Sequence, residues 1–320
     1  MFPGKPQPFQ FLLFKSHGLR YYLAHMKITG IYHEKKQSFS FEFFPPKTEE
    51  GEARLYETVR ELKELKPSFI SVTYGAMGST RQITLWIVTR IKNERGIEAA
   101  AHLTCVGNSR DEIRGVLREL KAAGVENVVA LRGDPPRGET VFRPALNGFT
   151  YASEMVKFIR SEPEFRDAFS LAVAGYPEGH MECRDLVRDL QHLKIKVEAG
   201  ADLIITQLFF DNRDYFDFVS RARKAGITIP ILAGIMPVTH GPQIQRFAGM
   251  CGAKIPQEMQ EAIARFGEDQ AAVESFGIDF ATRQCEELLR AGIPGIHFYT
   301  LNRSRATRQI YQNLGLAKSS

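Results

Sequence analysis

Four times in this chain a helical stretch ends in Ala-Gly and an apolar run follows within a few residues. The joints are Ala123-Gly124, Ala199-Gly200, Ala225-Gly226 and Ala291-Gly292. Glycine just past a helix accepts the left-handed conformation that caps it. One such joint is commonplace; four, each ahead of an apolar segment, mark a repeated helix-to-strand unit. The strand segments read as Ser38–Phe44, Phe69–Tyr74, Ala99–Cys105, Val128–Asp134, Leu171–Tyr176, Leu203–Phe210, Ile231–Met236 and Gly295–Leu301. Most are short and nearly continuously apolar, the pattern of parallel strands covered on both faces. Helical spacing lies between them. Leu55, Val59, Leu62 and Leu65 share a face, as do Leu186, Leu190, Leu193 and Val197. Ile113, Val116, Leu117 and Leu120 follow a Ser109-x-x-Glu112 capping box. Eight such units predict a (β/α)8 barrel. The rival is an open doubly wound sheet. Neither G-x-G-x-x-G nor G-x-x-x-x-G-K-[ST] occurs, which favours the barrel and disfavours a phosphate-cradling NTPase.

A barrel of this kind takes about 250 residues, and the chain has 320. We expect residues 1–26 to be a peripheral extension and 27–320 to form one barrel. The apolar stretch Phe9–Phe14 is interrupted by Gln10 and is shorter than a secretory core of about 7–15 residues. Residues 248–291 hold more helix than one unit needs, so a helical excursion is expected before the last strand. The Pro/Gly-rich connection Pro135–Thr150 is long for a βα loop. The net charge of +5 includes Lys5, Lys15 and Arg20 in an extension without acids, so the remainder is close to balanced. No basic stripe suggests nucleic acid, and no apolar run approaches the ~18 residues of a membrane span. Cys105, Cys183, Cys251 and Cys285 form no C-x-x-C; a reducing, cytoplasmic setting and no metal site are expected.

Catalytic groups of such barrels sit at the carboxyl ends of the strands, and the unusual polar residues fall there. Glu42 lies among phenylalanines; apolar burial raises a carboxyl pKa, which suits a general acid. Thr73-Tyr74 closes the second strand, with Gly75, Ala76 and Gly78 beyond. His102 lies in the third; His102-x-x-Cys105 alone makes no metal site. Arg132-Gly133-Asp134 ends the fourth, offering a cation and an acceptor, or simply an Arg132–Asp134 salt bridge. Tyr176 and His180 follow the fifth. Asp189 and Lys196, seven residues apart on one helix face, read on their own as a solvated charged surface. Gln207 is a polar amide inside the sixth strand and needs partners. Tyr299 and Arg303 end the last. These residues permit acid-assisted chemistry on a flat polar ligand without naming a reaction.

The motifs SFEFFPPK (Ser40–Lys47), SVTYGA (Ser71–Ala76), AHLTC (Ala101–Cys105), ALRGD (Ala130–Asp134) and YPEGH (Tyr176–His180) occur in order. ITQLFFD (Ile205–Asp211), GIMPV (Gly234–Val238) and HFYTLNR (His297–Arg303) complete the set. Over about residues 27–315 the chain resembles methylenetetrahydrofolate reductases of the bacterial, single-domain type. The resemblance implies a barrel holding non-covalent FAD, which a nicotinamide (NADH or NADPH) reduces. Hydride then passes to 5,10-methylenetetrahydrofolate to give 5-methyltetrahydrofolate, both substrates using one flavin face in ping-pong fashion. It implies a homo-oligomer, and no regulation through a carboxyl-terminal domain.

By motif, Glu42 resembles the general acid, and Asp134 the aspartate between flavin and pterin. Tyr74, Ala76, His102, Arg132, Gly133, Asp134, Tyr151, Ala152, Tyr176, His180, Asp189 and Lys196 resemble the flavin shell. Thr73 resembles a nicotinamide contact, Gln207 a contact of both substrates, and Phe247 the stacking aromatic beside Gln243. Arg303 resembles a folate contact. Cys183 and Ile195 depart from the pattern along the flavin-binding helix, and the loop from Arg137 to Phe149 is longer than the family leads one to expect. Two rival functions differ in what they require. A cofactor-free pterin transferase or aldolase on the same barrel wants a strand-end lysine or a phosphate site, and neither is seen. A non-enzymatic folate or flavin binder has no need of Glu42.

Overall fold

The computed structural model describes residues 27–34, 37–74, 81–135, 138–139 and 141–317. The expected extension, residues 1–26, lies outside them, and so does Ala76. Eight strands close a fully parallel barrel in chain order. They are β1 (Ser38–Phe43), β2 (Phe69–Val72), β3 (Ala99–Thr104) and β4 (Asn127–Leu131). β5 (Ser170–Gly175), β6 (Leu203–Thr206), β7 (Ile231–Ile235) and β8 (Gly295–Tyr299) complete it. The barrel closes through β1–β8 pairing, from Ser38 opposite Gly295 to Glu42 opposite Tyr299.

Helices cover the outside. Before the long loop come α1 (Ile28–Glu34), α2 (Glu49–Lys63), α3 (Arg81–Arg95) and α4 (Arg110–Ala122). Then follow α5 (Ala152–Ser161), α6 (Leu186–Glu198) and α7 (Asn212–Lys224). The expected excursion comprises α8 (Gly241–Cys251), α9 (Gln257–Phe266) and α10 (Gln270–Arg290), and α11 (Arg305–Asn313) ends the described chain. Among the described residues, no helix is long and apolar enough to cross a membrane.

The local signals read from sequence are present. Ala123, Ala199, Ala225 and Ala291 cap their helices, and the glycine after each has positive φ. Ser109 and Glu112 form the capping box of α4. Strand ends differ from expectation. Leu203–Phe210 pairs only as far as Thr206, and Leu208, Phe209 and Phe210 are buried without extending the strand. Apolar character reports burial, not ladder pairing, and at the rim the chain leaves the sheet while remaining covered.

Strand alternation sorts the side chains into an outer and an inner core. Phe41, Phe43, Ile70, Val72, Val128 and Ala130 join the cluster under the helices. Phe69, Ala100, Val129, Ala172, Leu203, Ile205 and Leu232 form a separate cluster with Ile28 and Ile31 of α1. The Ile28 N–H donates to Asn127 Oδ1 at 2.8 Å, so α1 plugs the amino-terminal end. The polar interior is thereby left to the opposite, carboxyl-terminal half.

Candidate active site

Glu42 is one residue short of the end of β1, and alternation points it inward while Phe41 and Phe43 face the helices. Its Oε2 lies 3.2 Å from His102 Nε2 of β3 and 3.3 Å from His297 Nε2 of β8. The His297 Nδ1 is 2.7 Å from Ser40 Oγ, and its Nε2 is also 3.4 Å from Ser71 Oγ. All five residues are buried, His297 completely. Here the structure corrects the expected direction of the Glu42 pKa. Burial does push it up, but the two imidazoles beside the carboxylate outweigh burial and bring it down to about 2. The neighbouring phenylalanines suggested an apolar pocket, yet they occupy the other face of the strand.

The β4–β5 side of the rim is cationic and aromatic. Arg132 forms a bidentate pair with Glu182, both N···O distances 2.6 Å, and its guanidinium lies 5.1 Å from the Phe142 ring centroid. The salt bridge to Asp134 allowed by the sequence is therefore not the one formed; Glu182, beyond β5, is closer to the guanidinium fork. Asp134 is exposed, three residues past β4. It is near enough to Tyr176 and His180 to contribute to their electrostatics. Tyr176 and His180 meet edge-to-face at 4.6 Å.

Asp189 and Lys196 do not form a solvated face. Asp189 is 8% exposed, and Lys196 Nζ donates to the Ala174 carbonyl at 2.5 Å. The barrel wall encloses this turn of α6. Burial pushes the Lys196 ammonium down to about 8 despite the attraction of Asp189. Burial also raises the Asp189 carboxyl. Tyr151 and Ala152 begin α5, with Glu154 Oε2 accepting from the Thr150 and Tyr151 N–H groups. Cys183, Asp189 and His192 bring ligand atoms within 4.8 Å of one another, a grouping the sequence reading did not anticipate.

On the remaining arc, Thr73 and Tyr74 directly follow β2, and the Tyr74 hydroxyl donates to Asn108 Oδ1 at 3.4 Å. Gln207, one residue past β6, uses Oε1 to accept from the Leu208 N–H at 2.9 Å. Its amide nitrogen has no hydrogen-bond acceptor among the described residues. Gln243 and Phe247 are one turn apart on α8, and Phe247, like Tyr299, packs against the cluster containing Met236, Val238 and Ile244. The Tyr299 hydroxyl donates to the Thr206 carbonyl at 2.7 Å, passing over Gly234. A Cβ at Gly234 would lie 2.2 Å from that oxygen, so only glycine allows this crossing of the mouth. Arg303 is exposed and borders a cavity of about 490 Å³ with Tyr299 and Thr300.

Glu42, Thr73, Tyr74, Arg132, Gly133, Asp134, Tyr176, His180, Gln207 and Arg303 lie at or just past the carboxyl ends of the strands, and His102 lies within β3. Tyr151 and Ala152, by contrast, open α5, Asp189 and Lys196 lie on α6, Gln243 and Phe247 lie on α8, and Ala76 is outside the described residues. Sequence reasoning missed His297, Ser40 and Glu182. The period-two alternation through Gly295–Leu301 places His297 on the Tyr299 face, but not which carboxylate it meets.

The methylenetetrahydrofolate reductase family model matches residues 27–315. The chain belongs to the methylenetetrahydrofolate reductase family. It is 42% identical over 303 residues to methylenetetrahydrofolate reductase (NADH) 1 of Arabidopsis thaliana, covering 92% of this chain and 51% of the relative. It is 40% identical over 277 residues to the 5,10-methylenetetrahydrofolate reductase of Escherichia coli, covering 87% and 90%. The chain therefore spans about half the length of its plant relatives in the family and most of the bacterial one. Among solved structures, a Clostridium thermocellum protein described as binding two copies of 5-methyl-5,6,7,8-tetrahydrofolic acid superposes with a TM-score of 0.58 at 17% identity. That match covers 90% of this reductase-family chain and 96% of the other. At that identity it supports the barrel alone.

Proposed function

We propose that this chain reduces 5,10-methylenetetrahydrofolate to 5-methyltetrahydrofolate with a nicotinamide donor and bound FAD. The observation that carries the reading is Glu42, enclosed at the mouth against His102 and His297 in a chain of this family. The names of the plant relatives specify NADH, which makes NADH the first donor to test.

The residues fit a flavin dinucleotide. Thr104 Oγ1, on the same inward face of β3 as His102, is buried without a hydrogen-bond partner among the described residues. Unsatisfied buried polar atoms are rare, and a polar ligand edge against β3 would satisfy it. Arg132 and Lys196 offer positive charge to an anionic diphosphate, and Tyr176, His180 and Asp189 line the same wall. FAD, when bound, supplies a two-electron carrier between donor and folate.

The protein's own part is to hold the pterin and to move a proton. Opening the five-membered ring to an iminium ion requires a proton on the departing ring nitrogen, and the iminium carbon then accepts hydride. Glu42 is the donor. Its low pKa means that the free protein carries the carboxylate, so the proton it delivers has to reach Oε2 before the bridge opens. His102 Nε2 and His297 Nε2, 3.2 and 3.3 Å from Oε2, are the polar neighbours that hold this carboxyl in place at the mouth. Asp134 and Gln207 orient the pterin, and Phe247 stacks on whichever substrate is present. Because nicotinamide and folate occupy the same face in turn, the kinetics are ping-pong.

Purified protein loaded with FAD is expected to be yellow, to bleach anaerobically with NADH, and to recover its colour when methylenetetrahydrofolate is added. A protein that stays colourless in FAD would end this reading. The flavin site also predicts a pH dependence. An anion beside Lys196 favours the ammonium, so FAD affinity should be greatest below about 8 and fall as pH rises through it. Fluorescence titration should show roughly tenfold weaker binding at about pH 9 than at about pH 7. Lys196→Gln should bind weakly at both and flatten the dependence.

A further inference from the structure

The chain reverses direction immediately after β8 in a tight turn. The Arg303 N–H donates to the Thr300 carbonyl at 3.0 Å. The two central residues, Leu301 and Asn302, both have positive φ, 51° and 58°. Asparagine tolerates that conformation; a leucine rarely adopts it. Such strain persists only where the surroundings over-determine it, and here they do. Asn302 Nδ2 donates to the Phe44 carbonyl at 2.8 Å, and the Phe44 N–H donates to Asn302 Oδ1 at 2.8 Å. Thr300 Oγ1 donates to the Glu42 carbonyl at 2.6 Å, and the Asn302 N–H donates to Thr300 Oγ1 at 3.3 Å.

The β1–β8 ladder ends at Glu42 opposite Tyr299. Beyond it, Pro45-Pro46 offers no N–H with which to continue pairing. The Asn302 carboxamide takes over, pairing with the Phe44 backbone as a neighbouring strand would. The residue after it is Arg303, on the expected folate side.

We propose that Asn302 is a positioning residue for Glu42. Its two-bonded clamp on Phe44, together with the Thr300 bond to the Glu42 carbonyl, fixes the strand end that carries the proton donor. It also ties that strand end to Arg303. The proposal rests on the reading of Glu42 as the proton donor. Asn302 touches neither substrate nor cofactor in this role; it acts through the β1 backbone.

Glycine at 302 retains the left-handed backbone at no steric cost, so N302G removes the clamp and little else. In the FAD-loaded protein, reoxidation of the NADH-reduced flavin by methylenetetrahydrofolate should slow by about tenfold to a hundredfold. Flavin reduction by NADH should stay within about twofold of wild type. The pH profile of the folate half-reaction should shift, while that of flavin reduction should not. N302D retains the acceptor for the Phe44 N–H and loses the donor, so its rate should fall between N302G and wild type. Should N302G not fold, N302D still decides the matter. Equal loss in both half-reactions, or an unaffected folate half-reaction, would overturn the proposal. E42Q separates the two failures. If it slows the folate half-reaction while the Asn302 variants do not, the clamp alone falls. If E42Q leaves folate reduction intact, the donor reading falls and takes the clamp with it.

Discussion

Glu42→Gln is expected to slow folate reduction by about 10²- to 10⁴-fold, the usual range for loss of a positioned general acid. Reduction of the flavin by NADH should remain within a few-fold of wild type. Glutamine has nearly the same shape as glutamate, so the inner packing beside Ser71 and Tyr299 is kept. What is lost is a group that can release a proton. Transfer of hydride from a nicotinamide needs no acid at this position, whereas opening the methylene bridge does. Stopped-flow absorbance of each half-reaction separates the two steps. Equal losses in both would show that Glu42 serves the fold or the flavin, and not the folate chemistry. A second readout follows from linkage. The folded carboxyl is held at about 2, below its ordinary 4.5. Ionised Glu42 therefore contributes stability above about pH 4.5 that is lost as pH falls toward 2. E42Q should lack this component of acid sensitivity.

Gly277→Ala should destabilise the protein by about 3 kcal/mol, reversing the usual sign of a helical Gly-to-Ala change. In an unconstrained helix interior, alanine gains about 1 kcal/mol over glycine through backbone entropy. Gly277 lies inside α10, where a Cβ would stand 1.8 Å from the Val238 carbonyl oxygen and 2.7 Å from Val238 Cβ. Backbone cannot swing aside as a side-chain tip can, so α10 or the segment after β7 must shift. Val238 packs with Ile244, Ala248 and Met259, and Phe247 rests on the same cluster. The shift should therefore also weaken the expected stacking on substrate. Thermal unfolding measures the first effect and the KM for folate the second. An unchanged or higher Tm would mean that α10 does not approach the barrel this closely in solution.

The barrel was legible because its signals are local. A capping glycine, a capping box and an apolar run each act over a few residues, and their repetition counts the units. The Arg132–Glu182 pair was not legible, because it joins residues 50 apart through two different βα connections. The Asp189–Lys196 pair was legible as a shared helix face, but not as a buried one; only the wall packed against α6 decides whether a charged turn meets water.

The sequence by itself determined the order of the strand–helix units and which polar residues follow each strand, though not where the strands stop, since period and turn chemistry are properties of short segments. It thereby placed Glu42, Asp134 and Gln207 on one rim. Only the tertiary structure decided the charge state of Glu42. That depends on which side chains from β3 and β8 face it across the barrel, and strand closure brings together residues 60 and 255 positions apart in the chain. Burial is the largest single influence there, and only the charge and hydrogen bonding of both imidazoles together, at about 3 Å, outweigh it; no reading along the chain contains that distance.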